Sequence, residues 1–91
     1  MAIFSFSAAV LDPIGLHARP AGELVELVQS SGLVVRIGRE GEELVSASSP
    51  LRIMALKAKT SQQLLIEIEA EDAEQANLLA TQIQAVLGAV R

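Results

Sequence analysis

Residues 15–21, Gly15-Leu16-His17-Ala18-Arg19-Pro20-Ala21, decide the fold, because the hydrophobic period of the chain changes there. Proline is well tolerated in the first turn of a helix, where its missing N–H would have no partner and its fixed φ already suits the helix. Pro20 therefore marks a helix start, with His17 at or near the N-cap. His17 is the only histidine of the sequence.

The segments on either side of this stretch have different periods. Residues 3–10 alternate with a period of two, which predicts a strand whose buried side chains are Phe4, Phe6, Ala8 and Val10. Residues 12–15 break that strand. From Ala18 the apolar spacing becomes i, i+3, i+4, i+7, which predicts a helix with the stripe Ala21, Leu24, Val25 and Val28. Gly32 is expected to end it in a left-handed conformation.

The remainder of the sequence predicts three more strands and two more helices. Strands are expected over residues 33–38 and 42–47, joined by a turn at 38–41, and a further strand over 64–70. Ser49 followed by Pro50 is typical of an N-cap and first helical position, and predicts a short helix in which Ile53 and Leu56 face the core. Asp72 and Gln75 resemble a capping box that opens a long last helix.

This order of elements, βαββαβα, predicts an α+β fold. We expect an open-faced β-sandwich in which a four-stranded antiparallel sheet carries three helices on one face. With 91 residues and no linker or repeat, residues 1–91 are expected to form a single domain.

Composition limits the functions that such a domain can have. A net charge of −4 and a pI near 4.8 oppose binding to nucleic acid, whose phosphates are bound by clustered lysine and arginine. The absence of cysteine excludes disulfides and thiolate metal sites, and a lone histidine argues against a histidine-rich metal centre, which leaves only weak carboxylate sites. We expect no membrane insertion and a cytoplasmic location, because no apolar run or signal peptide is present.

The chemistry of residues 15–21 favours an anion. The first-turn amides of a helix have no intrahelical partner, and the helix dipole places roughly half a positive charge at that end. A neutral imidazole is a competent nucleophile near neutral pH, and the Arg19 guanidinium is two residues away. His17, Arg19 and the amide of Ala18 are therefore candidates for holding a phosphoryl group.

With this motif and this order of elements, the chain resembles the HPr family, the histidine-containing phosphocarriers of the bacterial phosphotransferase system, over nearly its whole length. The resemblance implies an HPr-like fold and a monomeric carrier without catalysis of its own. His17 would accept a phosphoryl group on Nδ1 from enzyme I and pass it to sugar-specific enzyme IIA proteins. Arg19 and Ala18 would bind the phosphate, and no metal or cofactor is implied.

The resemblance also implies a docking surface and a regulatory site. The residues that would meet enzyme I and enzyme IIA, besides Ala18, are Ala21, Pro50, Leu51, Arg52 and Met54. Ser49 corresponds to a serine that a dedicated kinase phosphorylates in many Gram-positive relatives. The chain departs from the family pattern after it, because Pro50 directly follows Ser49.

Other functions remain open at this point. One is a phosphocarrier of a specialised branch, nitrogen-related or linked to dihydroxyacetone, with the same His17 chemistry and different partners. Another is a noncatalytic regulatory module that binds a transcription factor through the short helix. An enzyme with His17 as a general base is a third, which the sequence disfavours because no second titratable residue lies beside His17 in the chain.

Overall fold

The computed structural model describes residues 2–88 and has the predicted order of elements, βαββαβα. The strands and helices are β1 (Ala2–Ala9), α1 (Ala18–Ser31), β2 (Val34–Gly38), β3 (Val45–Ser46), α2 (Pro50–Ala55), β4 (Gln63–Ala70) and α3 (Ala73–Leu87). Among these described residues, no helix is long and apolar enough to cross a membrane.

The sheet is four-stranded and antiparallel, with the order β1-β4-β2-β3. The central strand β4 pairs with both β1 and β2, so that Ile66 lies opposite Phe6 on one side and Ile37 on the other. One face of β4 is completely buried, as its alternation predicts; it carries Leu64, Ile66, Ile68 and Ala70. The predicted open-faced α+β sandwich is confirmed.

The helices cover this face of the sheet. In α1 the predicted stripe is buried together with Pro20, and in α3 the buried positions are Ala76, Leu79, Ile83 and Leu87. In the short helix α2, Ile53 is completely buried and Leu56 packs partly buried against the same core. Burial of a large aliphatic side chain contributes about 1.5–3 kcal/mol, so these stripes hold the helices on the sheet.

The two edge strands differ in detail from the sequence prediction. In β1 the inward residues Phe4 and Phe6 are only partly buried, because no further strand covers that edge. At the other edge β3 spans two residues instead of the six expected over 42–47. Gly41 takes φ 85° and the turn closes with the Glu42 amide on the Arg39 carbonyl, so pairing resumes only at Val45.

The caps of the helices follow the sequence closely. Gly32 ends α1 at φ 72°, in the left-handed region. The Ser49 side chain accepts a hydrogen bond from the Arg52 amide at the start of α2. At the start of α3 the Asp72 side chain accepts from the Gln75 amide at 2.9 Å, and the Gln75 side chain accepts from the Glu71 amide one position before the N-cap.

Arg39 connects the β2–β3 turn to the end of α2. Its guanidinium donates to the carbonyl of Leu56 at 2.6 Å and lies 3.3 Å from the side-chain oxygen of Gln62. The last carbonyls of a helix lack intrahelical partners, and a cation there also offsets the negative end of the dipole. Arg39 therefore fixes the segment that follows α2, which lies against residues 15 and 16.

We predict that Arg39→Ala lowers the free energy of unfolding by about 1.5–3 kcal/mol, the range for hydrogen bonds that involve a charged group. Arg52→Ala is the matched control, because the Arg52 side chain is exposed and its removal is expected to change stability by less than about 0.5 kcal/mol. Urea denaturation followed by circular dichroism measures both. Equal stabilities of the two variants would contradict the role given to Arg39.

Candidate functional site

The loop between β1 and α1 is built on Asp12. The Asp12 side-chain Oδ1 accepts a hydrogen bond from the Ile14 amide at 2.9 Å, and its carbonyl accepts one from the Gly15 amide at 2.9 Å. Aspartate commonly forms such turns, because its side chain can accept from a backbone amide two residues later. The loop therefore has a defined shape before the helix begins.

Gly15 holds this loop against the segment after α2. It has φ 91°, and a Cβ at this position would lie 2.6 Å from the Ala58 carbonyl oxygen. The next amide, that of Leu16, donates to the same oxygen at 2.9 Å. Both the positive φ and the close approach of two backbones require glycine. The Leu16 side chain is buried in the core, so the loop is fixed immediately before His17.

His17 is the N-cap of α1, as predicted. Its backbone is extended, with φ −102° and ψ −169°, and its carbonyl accepts the amide of Ala21 at 3.0 Å. The imidazole makes no capping hydrogen bond to the helix. Instead its Nε2 lies 3.2 Å from Oδ2 of Asp12, and the ring is 31% exposed. The ring therefore contacts Asp12 through Nε2 and remains partly exposed to solvent.

Apart from the Asp12 carboxylate, the surroundings of the ring favour an anion. The first turn of α1 contains no acidic residue, so the positive end of the helix dipole is not neutralised from within that turn. Arg19 is exposed and forms no ion pair with an acidic side chain of residues 2–88. An open depression of about 380 Å³ is lined by Asp12, Ile14, His17, Ala18 and Arg19.

A larger groove of about 480 Å³ lies between β1 and α3, lined by residues that include Ile3, Phe6 and Gln84. None of its lining residues has an acidic, basic or imidazole side chain. Within residues 2–88, no three histidine, cysteine, aspartate or glutamate side chains cluster in a way that could hold a metal ion. Of these two depressions, only the one beside His17 therefore has titratable side chains in its lining.

The residues expected to form a docking surface do not all lie at the surface. Pro50, Leu51 and Arg52 are exposed, and Leu51 is 77% exposed, whereas Met54 is partly buried against the core. Ala21 is completely buried within α1, so its assignment to an exposed surface is wrong. The helical spacing that groups Ala21 with Leu24 and Val28 already predicted that Ala21 is buried.

Ser49 lies at the opposite end of α2 from residues 15–17. The segment after α2 contacts Gly15 and Leu16 through Ala58. At the other end of α2, the carbonyl of Ser48 accepts from the Gln29 side chain near the end of α1. The predicted role of Ser49 as N-cap is confirmed. Its candidate regulatory role stays a prediction.

Two neighbours of His17 were missed by sequence reasoning. Asp12 is five positions before the histidine, and only the turn over residues 12–15 brings its carboxylate to the ring. Ile14 is 76% exposed beside the ring. The backbone of Lys59, which follows Ala58, lies against Gly15. The signal for Asp12 was the aspartate-proline break itself.

Comparison with known proteins gives a consistent result. Residues 4–87 match the family described as PTS HPr component phosphorylation site. The phosphocarrier protein HPr of Lysinibacillus sphaericus is 36% identical over 67 residues, which are 74% of this chain and 75% of that protein. HPr of Streptomyces coelicolor is 36% identical over 62 residues, 68% of this chain and 67% of the relative.

Solved structures agree with the sequence relatives. The crystal structure of HPr from Bacillus anthracis has a TM-score of 0.75 at 30% identity and covers 92% of this chain and 100% of that one. A mycoplasma histidine-containing phosphocarrier protein has a TM-score of 0.78 at 30% identity, with 92% and 97% covered. The chain belongs to the HPr family, the phosphocarrier proteins of the phosphotransferase system.

We predict that Gly15→Ala disturbs both stability and the His17 site. A side chain at a positive φ, placed against a backbone carbonyl, is expected to cost about 1–3 kcal/mol. Gly22→Ala is the matched control: Gly22 lies exposed in α1 with open space where a Cβ would be, and alanine there is expected to stabilise the helix by about 0.5–1 kcal/mol. Thermal unfolding and the histidine ring signals in NMR spectra report the two effects. A Gly15→Ala protein as stable as the wild type would contradict the close approach.

Proposed function

We propose that this protein is a phosphocarrier that accepts a phosphoryl group on Nδ1 of His17 from enzyme I and passes it to enzyme IIA proteins. The observation that supports this most strongly is the position of His17, as the N-cap of α1 with a partly exposed ring beside Arg19, in a chain of the HPr family. The proposal includes a monomer working in the cytoplasm that has no catalytic activity of its own.

The proposed transfer is a nucleophilic displacement at phosphorus. The lone pair of Nδ1 attacks the phosphorus of the phosphorylated donor, the bond between phosphorus and the donor breaks, and its electron pair stays with the donor. Such reactions need mainly positioning and stabilisation of the charged oxygens. The amides of Ala18 and Arg19 and the Arg19 guanidinium would supply hydrogen bonds and charge to those oxygens.

A carrier must release its phosphoryl group as readily as it takes it up. Arg19 is exposed, so its attraction to the phosphate is screened by water and salt, which prevents the bound state from becoming too stable. Two of the exposed apolar side chains, Ile14 and Leu51, suit transient docking, since partners that must dissociate bury small surfaces. We include Ile14 in the proposed docking surface with Pro50, Leu51 and Arg52.

We predict that incubation with enzyme I and phosphoenolpyruvate adds one phosphoryl group that is labile in acid and stable in base, as a phosphoramidate is. His17→Ala is expected to abolish this labelling and to leave the fold intact, because the ring makes no capping hydrogen bond, is partly exposed, and leaves Asp12 with its hydrogen bond from the Ile14 amide. Mass spectrometry of the intact protein measures the uptake.

Ser49→Ala is the matched control for the labelling experiment. It removes the other candidate phosphorylation site and is expected to cost about 1 kcal/mol through loss of the N-cap of α2, without changing the uptake of phosphate from enzyme I. Uptake of acid-labile phosphate by the His17→Ala protein would overturn the proposed function.

A second prediction concerns docking. Leu51→Glu is expected to leave thermal stability nearly unchanged, because the side chain is 77% exposed, and to slow transfer from enzyme I by roughly tenfold, equivalent to about 1.4 kcal/mol of lost binding. Samples quenched at successive times, at protein concentrations below saturation, give the second-order rate constant of transfer from enzyme I.

Leu78→Glu is the matched control for docking. Leu78 is also exposed, at 67%, but it lies on α3 in a cavity with Ser31 and Leu33 near the far end of α1. The substitution changes the net charge by the same amount and is expected to leave the transfer rate close to that of the wild type. Equal rates for the two variants would show that Leu51 lies outside the docking surface.

A further inference from the structure

Asp12 is an acidic residue in a buried position. Its side chain is 4% exposed, and it is the only buried polar or charged residue within the described residues 2–88. A buried carboxylate is costly unless hydrogen bonds compensate for the loss of water. Both oxygens have such partners here: Oδ1 accepts from the Ile14 amide at 2.9 Å, and Oδ2 lies 3.2 Å from Nε2 of His17.

The position of the ring proton decides whether Nε2 donates or accepts in the contact between His17 and Asp12. An ionised carboxylate can only accept hydrogen bonds, so Nε2 must be the donor in this pair. A neutral imidazole has one N–H, and its other nitrogen then has a free lone pair. With the proton on Nε2, the nitrogen that remains free to attack is Nδ1.

We propose that Asp12 is a positioning residue, which holds His17 in the Nε2–H tautomer and so presents Nδ1 as the nucleophile. The part of this inference that concerns phosphoryl transfer rests on the function proposed above. When Nδ1 forms its bond to phosphorus, Nε2 keeps its proton and the ring gains a positive charge. The Asp12 carboxylate lies beside that charge and stabilises it until the phosphoryl group leaves and the ring becomes neutral again.

The geometry also limits how the ring can turn. Gly15 and Leu16 are fixed to Ala58 and the His17 carbonyl is bound in α1, so the backbone on both sides of the ring is fixed. The Asp12 carboxylate is itself oriented by the Ile14 amide. A histidine ring held by a hydrogen bond at one nitrogen directs the other nitrogen, a principle also seen where carboxylates orient metal-binding or catalytic histidines.

Asp12→Asn separates this role from that of a loop anchor. The amide oxygen of asparagine can still accept from the Ile14 amide, which preserves the turn. The NH₂ group then faces Nε2 of His17 and donates where the carboxylate accepted, which favours the tautomer with the proton on Nδ1. Asp72→Asn is the matched control, because it makes the same change of charge at the N-cap of α3, where asparagine caps as well as aspartate.

The test uses the full chain with ¹⁵N-labelled histidine, whose single imidazole gives one set of ring signals in NMR spectra recorded with the ring neutral. We expect the wild type and the Asp72→Asn protein to carry the proton on Nε2. In the Asp12→Asn protein the Nδ1–H tautomer is expected to increase, and the rate of transfer from enzyme I to fall by roughly 10- to 100-fold, the range for loss of an outer partner of a functional histidine.

Two outcomes would overturn the assignment: a wild-type ring with its proton on Nδ1, or a folded Asp12→Asn protein with unchanged tautomer and transfer rate. The wild-type spectrum decides the question even if Asp12→Asn does not fold. A wild-type protein that takes up no phosphoryl group would overturn the proposed function instead. In that case the ring spectra still support or overturn the pairing of Asp12 with His17.

Discussion

The structure depends on one close backbone contact, between Gly15 and the carbonyl of Ala58. It joins the end of the β1–α1 loop to the segment that follows α2, and the Leu16 amide donates to the same carbonyl. The sheet and the helices supply stability, but this contact sets where α1 begins and hence where His17 lies. Arg39 supports this contact by donating a hydrogen bond to the carbonyl of Leu56, the C-cap of α2.

This arrangement separates the buried core of the molecule from the proposed phosphate site and docking surface. Buried aliphatic stripes from β4, α1 and α3 form the core. The proposed chemistry lies at one end of α1, where the partly exposed ring of His17 contacts Asp12 and lines an open depression together with Arg19. A protein that passes a group between larger partners benefits from such a division, because docking and release need not disturb the core.

Much of this could be predicted from the sequence, because local periodicity and cap residues determine most of the elements. The switch of period at residues 15–21 located α1, and Ser49, Asp72 and Gly32 located helix ends. Features that depend on contacts between distant segments could not be predicted in this way. The shortening of β3 follows from the position at which the β2–β3 turn closes. The pairing of Asp12 with His17 depends on the turn over residues 12–15, which brings two side chains five positions apart into contact. Ala21 was wrongly assigned to the docking surface because the family resemblance was given more weight than the helical spacing, which indicated burial.

The central claim is that His17 offers Nδ1 to phosphorus while Nε2 keeps a proton bound to Asp12. The most direct measurement is the one-bond coupling between ³¹P and the ring nitrogens in the phosphorylated protein with ¹⁵N-labelled histidine. We expect coupling to Nδ1 alone, with a proton retained on Nε2. Coupling to Nε2, or a phosphoryl group on another residue, would contradict the account.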